Sequence, residues 1–269
     1  MFCSLHDLVS QIPDRATVAL PPDYSGCAMA AVRALAARRA RGLHLVGVPQ
    51  MGFQADMLIG AGCVDTVESA AVTLGEFGRA PCFTRALRDG QLRILDATCP
   101  ALHAGLQAAE KGIPFMPLRG IIGSDLLAVR SDWRVIDNPF DNDDPIVLLP
   151  AIRPDVALFH ARLADRDGNV WVGVRRELML AAHASRATLA TVERIQDHSL
   201  LDDETTAAGT VPGLYVSALA QVRDGAWPVG LAGCYEPDRA HLRDYVELAA
   251  SSEGFAAWMA RHVHGERAA

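Results

Sequence analysis

Three kinds of residue in this chain have types and spacing suited to chemistry: glycine-rich turns, a carboxylate at a strand end, and a histidine close to a strand. Gly120-Ile121-Ile122-Gly123-Ser124-Asp125, preceded by Arg119, follows an extended run. Such a turn can present backbone N–H groups to a phosphate or thioester oxygen. Thr73-Leu74-Gly75-Glu76-Phe77-Gly78 has the same form, a strand end leading toward a helix. In open α/β sheets ligands bind outside the carboxyl ends of strands, so this turn suits a second wall of a site. Each of these turns also has a plain reading, in which the glycines only permit close packing and Glu76 only begins a helix. Glu193 closes Thr191-Val192-Glu193 and reads as a structural carboxylate paired with an arginine on the surface. His160 follows the run Val156-Ala157-Leu158-Phe159 and reads as a hydrogen-bonded core histidine.

Several chemistries are excluded by pattern. No Gly-Lys-Ser/Thr P-loop, no G-x-G-x-x-G, no H-E-x-x-H and no G-x-S-x-G elbow is present. Cys3, Cys27, Cys63, Cys82, Cys99 and Cys234 are scattered without a C-x-x-C pair, which predicts free thiols and no metal site. The net charge of −7 gives no electrostatic footprint for nucleic acid. No apolar run reaches the roughly 18 residues a membrane helix needs, and no basic-then-apolar leader opens the chain. These features predict a cytoplasmic protein with no membrane partner. Half of its 269 residues are hydrophobic, enough for a sizeable core and for a further face hidden against a partner.

The elements that must position these residues alternate. Ser4 caps a short helix with Leu5, Leu8, Val9 and Ile12 on one face, and Pro13 ends it. Strands are predicted over 17–20, 43–48, 64–67, 92–95, 113–118, 146–149, 187–192 and 214–218. Helices are predicted over 27–40, 77–88, 100–111, 176–185, 239–250 and 254–262, with a short one ending at 57–61. The segments 137–144 and 200–209 are polar and read as surface loops. At the centre, residues 155–173 run from a buried strand into Asp165-Arg166-Asp167-Gly168-Asn169 and out again through Val170-Trp171-Val172. Gly168 and Asn169 are types that tolerate positive φ, so a tight turn is predicted there. Strand and helix alternating at this spacing predict one α/β domain over 1–269, an open, mostly parallel sheet with helices on both faces.

The order of several blocks resembles family I coenzyme A transferases, and most closely the alpha-type chain of the glutaconate CoA-transferase kind. These blocks are ADMLIGAGCVD, LGEFGRAPCFTRALRDGQLRI, AAEKGIPFMPLRGIIGSDLL, the apolar strand running into ADRDGN with a later strand ending in TVE, and GCYEPDRAHLRDYVELA. The resemblance covers nearly the whole chain, from Thr17 to about Trp258. The resemblance implies the fold shared by CoA transferases and some sugar-phosphate isomerases. It implies no bound cofactor, coenzyme A as co-substrate, and a small carboxylic acid and its acyl-CoA as reactants. It also implies a beta-type partner subunit that carries the nucleophilic glutamate in an E-N-G setting, which this chain lacks, so no catalytic residue is expected here. Ser25, Gly26, Thr73, Gly75, Phe77, Gly78, Arg119, Gly120, Gly123 and Ser124 are the positions expected to contact substrate or coenzyme A.

One departure bears on activity. Where the family has a glycine-rich turn after its first strand, this chain reads Pro21-Pro22-Asp23-Tyr24-Ser25-Gly26. Proline removes the N–H donor, so this loop cannot offer the same backbone cradle. Hydrolysis of acyl-CoA esters with ring or C–C cleavage, and a non-catalytic acyl-CoA-binding scaffold, therefore stay open beside transfer.

Overall fold

The computed structural model describes residues 1–264; the last five positions of the predicted 1–269 domain lie outside the described residues. In chain order the strands are β1 (Thr17–Leu20), β2 (Leu43–Gly47), β3 (Val64–Ser69), β4 (Arg93–Asp96), β5 (Phe115–Leu118), β6 (Arg134–Asp137), β7 (Pro145–Pro150) and β8 (Val156–Asp165). They continue with β9 (Val170–Trp171), β10 (Ala187–Gln196), β11 (Thr210–Val211) and β12 (Ala218–Gln221).

The main sheet runs β12, β10, β8, β1, β2, β3, β4, every neighbouring pair parallel. β8 is the long member. Its first residues pair with β1, its whole length with β10, and its far half with β9, which turns back antiparallel and carries β11. Side chains alternate across a strand, so each central strand buries both faces. Val18 and Leu20 of β1 join Val156 and Leu158 of β8 in one core, against the helices Met29–Ala37, Phe53–Gly60, Arg239–Leu248 and Ser252–His262. Ala19 and Ala157 face the other way, against Leu106 of the helix Cys99–Glu110 and Leu180 and Ala181 of the helix Arg176–Ala184. No helix among the described residues is long and apolar enough to cross a membrane.

The chain leaves this pattern between residues 113 and 150. β5 belongs not to the parallel sheet but to a separate antiparallel one, in the order β5, β7, β6. Pro117 has no N–H to donate, and β5 accordingly sits at an edge. β6 and the one-turn helix Leu126–Val129 have no counterpart in the sequence reading. Nor does a strand start at 214: Gly213–Tyr215 is a 3-10 turn and β12 begins at Ala218. The last helix, Ser252–His262, ends at the residue the sequence predicts.

The central turn explains the displacement at 213. Asp165, buried at the end of β8, accepts from the N–H groups of Asp167 and Asn169 and from the side chain of Asn169. It also accepts from the N–H of Leu200, while Asn169 Oδ1 accepts from the N–H of Gly213 at 2.8 Å. One turn thus ties down two later segments. Gly168 lies at φ 85°, and the three atoms nearest a Cβ there all belong to the side chain of Met1, whose thioether end can move. The backbone conformation is therefore the main cost of substitution. Gly168→Val is expected to destabilise by roughly 1–3 kcal/mol, read as a lower thermal midpoint; an unchanged midpoint would show that the turn tolerates a β-branched residue.

Candidate active site

The parallel sheet grows outward from β1 in one direction and from β8 in the other, so the strand order reverses between them. Ligands in such sheets bind beyond the carboxyl ends of the strands at that reversal. The chain leaving β1 there is Pro21-Pro22-Asp23-Tyr24-Ser25-Gly26. Gly26 at φ 80° lets the loop lie against β8: its carbonyl accepts the His160 N–H at 2.8 Å, and a Cβ would fall 2.1 Å from the His160 carbonyl oxygen. The loop becomes a ridge with a pocket on each side, and Tyr24 lines both.

The larger pocket, about 240 Å³, has Pro22, Asp23 and Met51 on one side and Thr73, Gly75, Glu76 and Phe77 on the other. Thr73 hangs on the Met51 carbonyl through its N–H at 3.0 Å. Gly75–Phe77 is a 3-10 turn, and Gly78 at φ 93° stops it, so the helix expected from residue 77 begins instead at Pro81. The N–H of Leu74 bonds the Gly78 carbonyl, closing the turn. Phe77 stacks edge-on against Phe53. Glu76 is paired with Arg239.

Asp23 is the chemically notable group of this wall. Both carboxyl oxygens lie within reach of the Phe53 N–H, at 3.1 and 3.2 Å, where the helix Phe53–Gly60 begins. Gly52 leaves the space: a Cβ there would sit 1.9 Å from Asp23 Oδ2. Burial raises the carboxyl to about 7, and nearby Asp56 adds to this, against the lowering effect of the Phe53 N–H and the Cys27 thiol. Near neutral pH this group can both donate and accept a hydrogen bond.

The smaller pocket, about 200 Å³, is bounded by Ser25 and Gly26 of the loop, by His160 and Arg162 of β8, and by Trp171 and Arg175. Ser25 is buried and donates to Glu177. His160 is fully buried and hydrogen-bonded, as its sequence context predicts: Nδ1 lies 2.8 Å from Thr191 Oγ1 and Nε2 2.7 Å from Glu193 Oε1.

Glu193 departs from expectation, because among the described residues no arginine pairs with it. Its Oε1 also receives the Tyr235 hydroxyl at 2.7 Å and the Gly225 N–H at 3.1 Å, and its Oε2 the Asp224 N–H at 2.8 Å. Its neighbour Arg194 points to the opposite face of β10, as adjacent strand residues must. Burial opposes the charge on Glu193, but His160, Tyr235 and the Asp224 N–H overcome it and hold the carboxyl at about 2.

Of the substrate-contact positions read from sequence, Thr73, Gly75 and Phe77 meet in the larger pocket, with Gly78 closing their turn, and Ser25 and Gly26 meet in the smaller. Arg119, Gly120, Gly123 and Ser124 line neither. They follow β5, which is not a strand of the main sheet, so their loop does not stand at its carboxyl edge. Arg119 is engaged with Asp144 through two hydrogen bonds, and Ile121 anchors the segment in a core with Leu102 and Trp133. Asp23, Arg162, Arg175 and Glu177 are functional candidates that sequence reasoning missed. An acid between proline and tyrosine at a strand end is a readable signal for Asp23; the others become neighbours only through the fold.

A coenzyme A transferase family model matches residues 3–221. The A-type subunit of 3-oxoadipate CoA-transferase from Pseudomonas knackmussii is 31% identical over 233 residues, 84% of this chain and 79% of that one. The IpdA subunit of the cholesterol ring-cleaving hydrolase from Rhodococcus jostii is 27% identical over 253 residues, 88% of this chain and 82% of that one. An uncharacterized Archaeoglobus fulgidus protein is 28% identical over 84% of this chain, which spans only 50% of its length. Among solved structures, a variant of the decarboxylase AibA/AibB superposes with a TM-score of 0.84 at 30% identity, covering 97% of this chain and 98% of that one. Glutaconate coenzyme A-transferase from Acidaminococcus fermentans gives 0.88 at 24% identity, covering 97% and 88%.

Proposed function

The chain belongs to the coenzyme A transferase family, and from that premise we propose that it is the A-type subunit of a heteromeric CoA transferase, moving coenzyme A between an acyl-CoA thioester and a small carboxylic acid. One observation carries this reading: every carboxylate that lines the two pockets or bonds to a residue lining them is already engaged. Asp23 accepts from a backbone N–H, Glu76 pairs with Arg239, Glu177 accepts from Ser25, and Glu193 has four donors. A transferase needs a free carboxylate to attack the thioester carbonyl, forming a mixed anhydride and expelling the CoA thiolate. That thiolate then attacks the enzyme's carbonyl and releases the first acid; the acceptor acid reverses both steps. The nucleophile therefore comes from a beta-type partner, while the Thr73 and Tyr24 loops supply walls and orientation. Apolar side chains left exposed around the small sheet, Phe115, Val129, Val135 and Phe140 among them, suit a chain that docks against another.

A second reading, hydrolysis of an acyl-CoA ester, has its own support. Pro21 and Pro22 remove two backbone donors from the first loop, and the IpdA relative is named as part of a hydrolase.

The chain alone, incubated with acyl-CoA esters and then borohydride, is expected to keep its intact mass, because no enzyme-bound thioester forms to be reduced. With a partner carrying E-N-G, the mass loss is expected on the partner. A loss mapping to Glu193 or Glu76 of the isolated chain would overturn this division of labour. Free thiol released by the complex without an acceptor acid would favour the hydrolytic reading.

A further inference from the structure

The two pockets beside Tyr24 differ in charge. Asp23 and Glu76 line the larger, which has no arginine or lysine in its wall. The smaller holds Arg162 and Arg175 in its wall and no aspartate or glutamate; Glu177 and Glu193 lie behind that wall, bonded to Ser25 and His160 rather than to the arginines. These cations come from separate elements, Arg162 from β8 and Arg175 from the residue preceding the helix Arg176–Ala184.

Both guanidiniums are held by aromatic rings. Arg162 lies over Trp171 at 5.0 Å and Arg175 over Tyr24 at 5.2 Å. Among the described residues neither forms an ion pair with a carboxylate. Stacking fixes the plane of a guanidinium while leaving its N–H fork open. The backbone makes room as well: Gly233, at φ 75°, places its missing Cβ 2.9 Å from Arg162 Nη1. Elsewhere the chain satisfies such cations: buried Arg130 contacts Glu68 and Asp132, and half-buried Arg33 donates to the Trp227 carbonyl. Two half-buried cations sharing a pocket with apolar Leu178 and Leu231, and with no acid in its wall, call for an anion from outside.

We propose that Arg162 and Arg175 form an anion subsite that grips the carboxylate or phosphate oxygens of the substrate, while its uncharged acyl portion crosses the Tyr24 ridge into the other pocket. This deepens the proposed acyl-CoA reading and rests on it. Tyr24 then has two roles, wall of the acyl pocket and stacking platform for Arg175.

The test is calorimetric titration of the whole chain and of the R162Q/R175Q variant with coenzyme A, dephospho-coenzyme A, glutarate and inorganic phosphate, at two salt concentrations. The expected result is a loss of at least tenfold in affinity in the variant for one class, with weaker wild-type binding at higher salt. A loss confined to coenzyme A and its dephospho form assigns a phosphate; a loss for glutarate assigns a carboxylate. Equal affinity in folded wild type and variant overturns the subsite but leaves the acyl-CoA reading standing. Arginine-dependent binding of glutarate or phosphate without coenzyme A binding overturns that reading and keeps the subsite. Binding of none of the four probes overturns both. Should the variant fail to fold, phenylglyoxal labelling of the wild-type chain decides: a bound probe is expected to protect Arg162 and Arg175, and unchanged labelling under saturating probe overturns the proposal.

Discussion

Gly26→Ala is expected to destabilise the fold by roughly 3–5 kcal/mol, lowering the thermal midpoint by roughly 6–20 °C for a domain of this size. Two costs combine. Gly26 lies at φ 80°, where an L side chain strains the backbone by about 1–2 kcal/mol. The added methyl would also fall 2.1 Å from the His160 carbonyl oxygen, an atom of the central strand that cannot rotate away. Relief requires lifting the loop, which breaks the 2.8 Å bond between the His160 N–H and the Gly26 carbonyl and disturbs Ser25 against Glu177. Gly75→Ala is the control, since Gly75 also has positive φ, at 58°, but nothing lies within 4 Å of its Cβ position. If thermal unfolding by circular dichroism gives both variants the same small loss, close approach to β8 is not what requires glycine at 26. Because the loop separates both pockets, coenzyme A binding is expected to weaken in Gly26→Ala more than in Gly75→Ala.

What could be read in the sequence follows from how local the determinants are. β1 carries its own pattern, a β-branched apolar run closed by two prolines, and the structure gives it the predicted bounds. Ser4 caps the first helix through its side chain, as its spacing from Asp7 predicts. The glycine turns at 75–78 and 168 announce positive φ by residue type alone. β6 announces nothing: four exposed residues, Arg134, Val135, Ile136 and Asp137, become a strand only because β7 pairs with them. Misplacing β5 followed from the same limit. An extended run after a helix fits a parallel strand or an antiparallel one equally, and the partner decides.

The site divides along the same line. Residues at strand ends beside glycines, such as Thr73, Gly75 and Gly26, could be nominated without knowing the sheet order. Ser25 meets Glu177 across 152 residues, and Arg175 finds Tyr24 only because the first loop crosses β8. The Gly120 loop shows the converse: its local form suits a ligand, but the preceding strand lies outside the main sheet. Sheet order, more than loop composition, determines which turns share a pocket.

Glu193→Ala carries the other large effect, because one carboxylate organises four donors from three segments. His160 reaches it from β8, Asp224 and Gly225 from the loop after β12, and Tyr235 from beyond the next turn. Removing it leaves the buried His160 Nε2 and several N–H and O–H groups without an acceptor, at a cost of roughly 3–5 kcal/mol. Gly225 has no slack to take up the loss, since its Cβ position lies 2.4 Å from the His160 ring. Loop 224–235 is therefore expected to loosen, with amide exchange rising at Asp224 and Gly225 before global unfolding. Glu193→Gln keeps an acceptor and is expected to cost less. The pH dependence has a definite sign. The folded carboxyl is held at about 2, below its ordinary value near 4.5, so its contribution is complete above that ordinary value and disappears as pH falls toward about 2. Wild type should thus lose stability over Glu193→Gln as acid titrates this window, the two midpoints converging near its lower end. Parallel midpoints for wild type and Glu193→Gln from pH 6 down to pH 2 would show that the ionised carboxylate does not hold the loop.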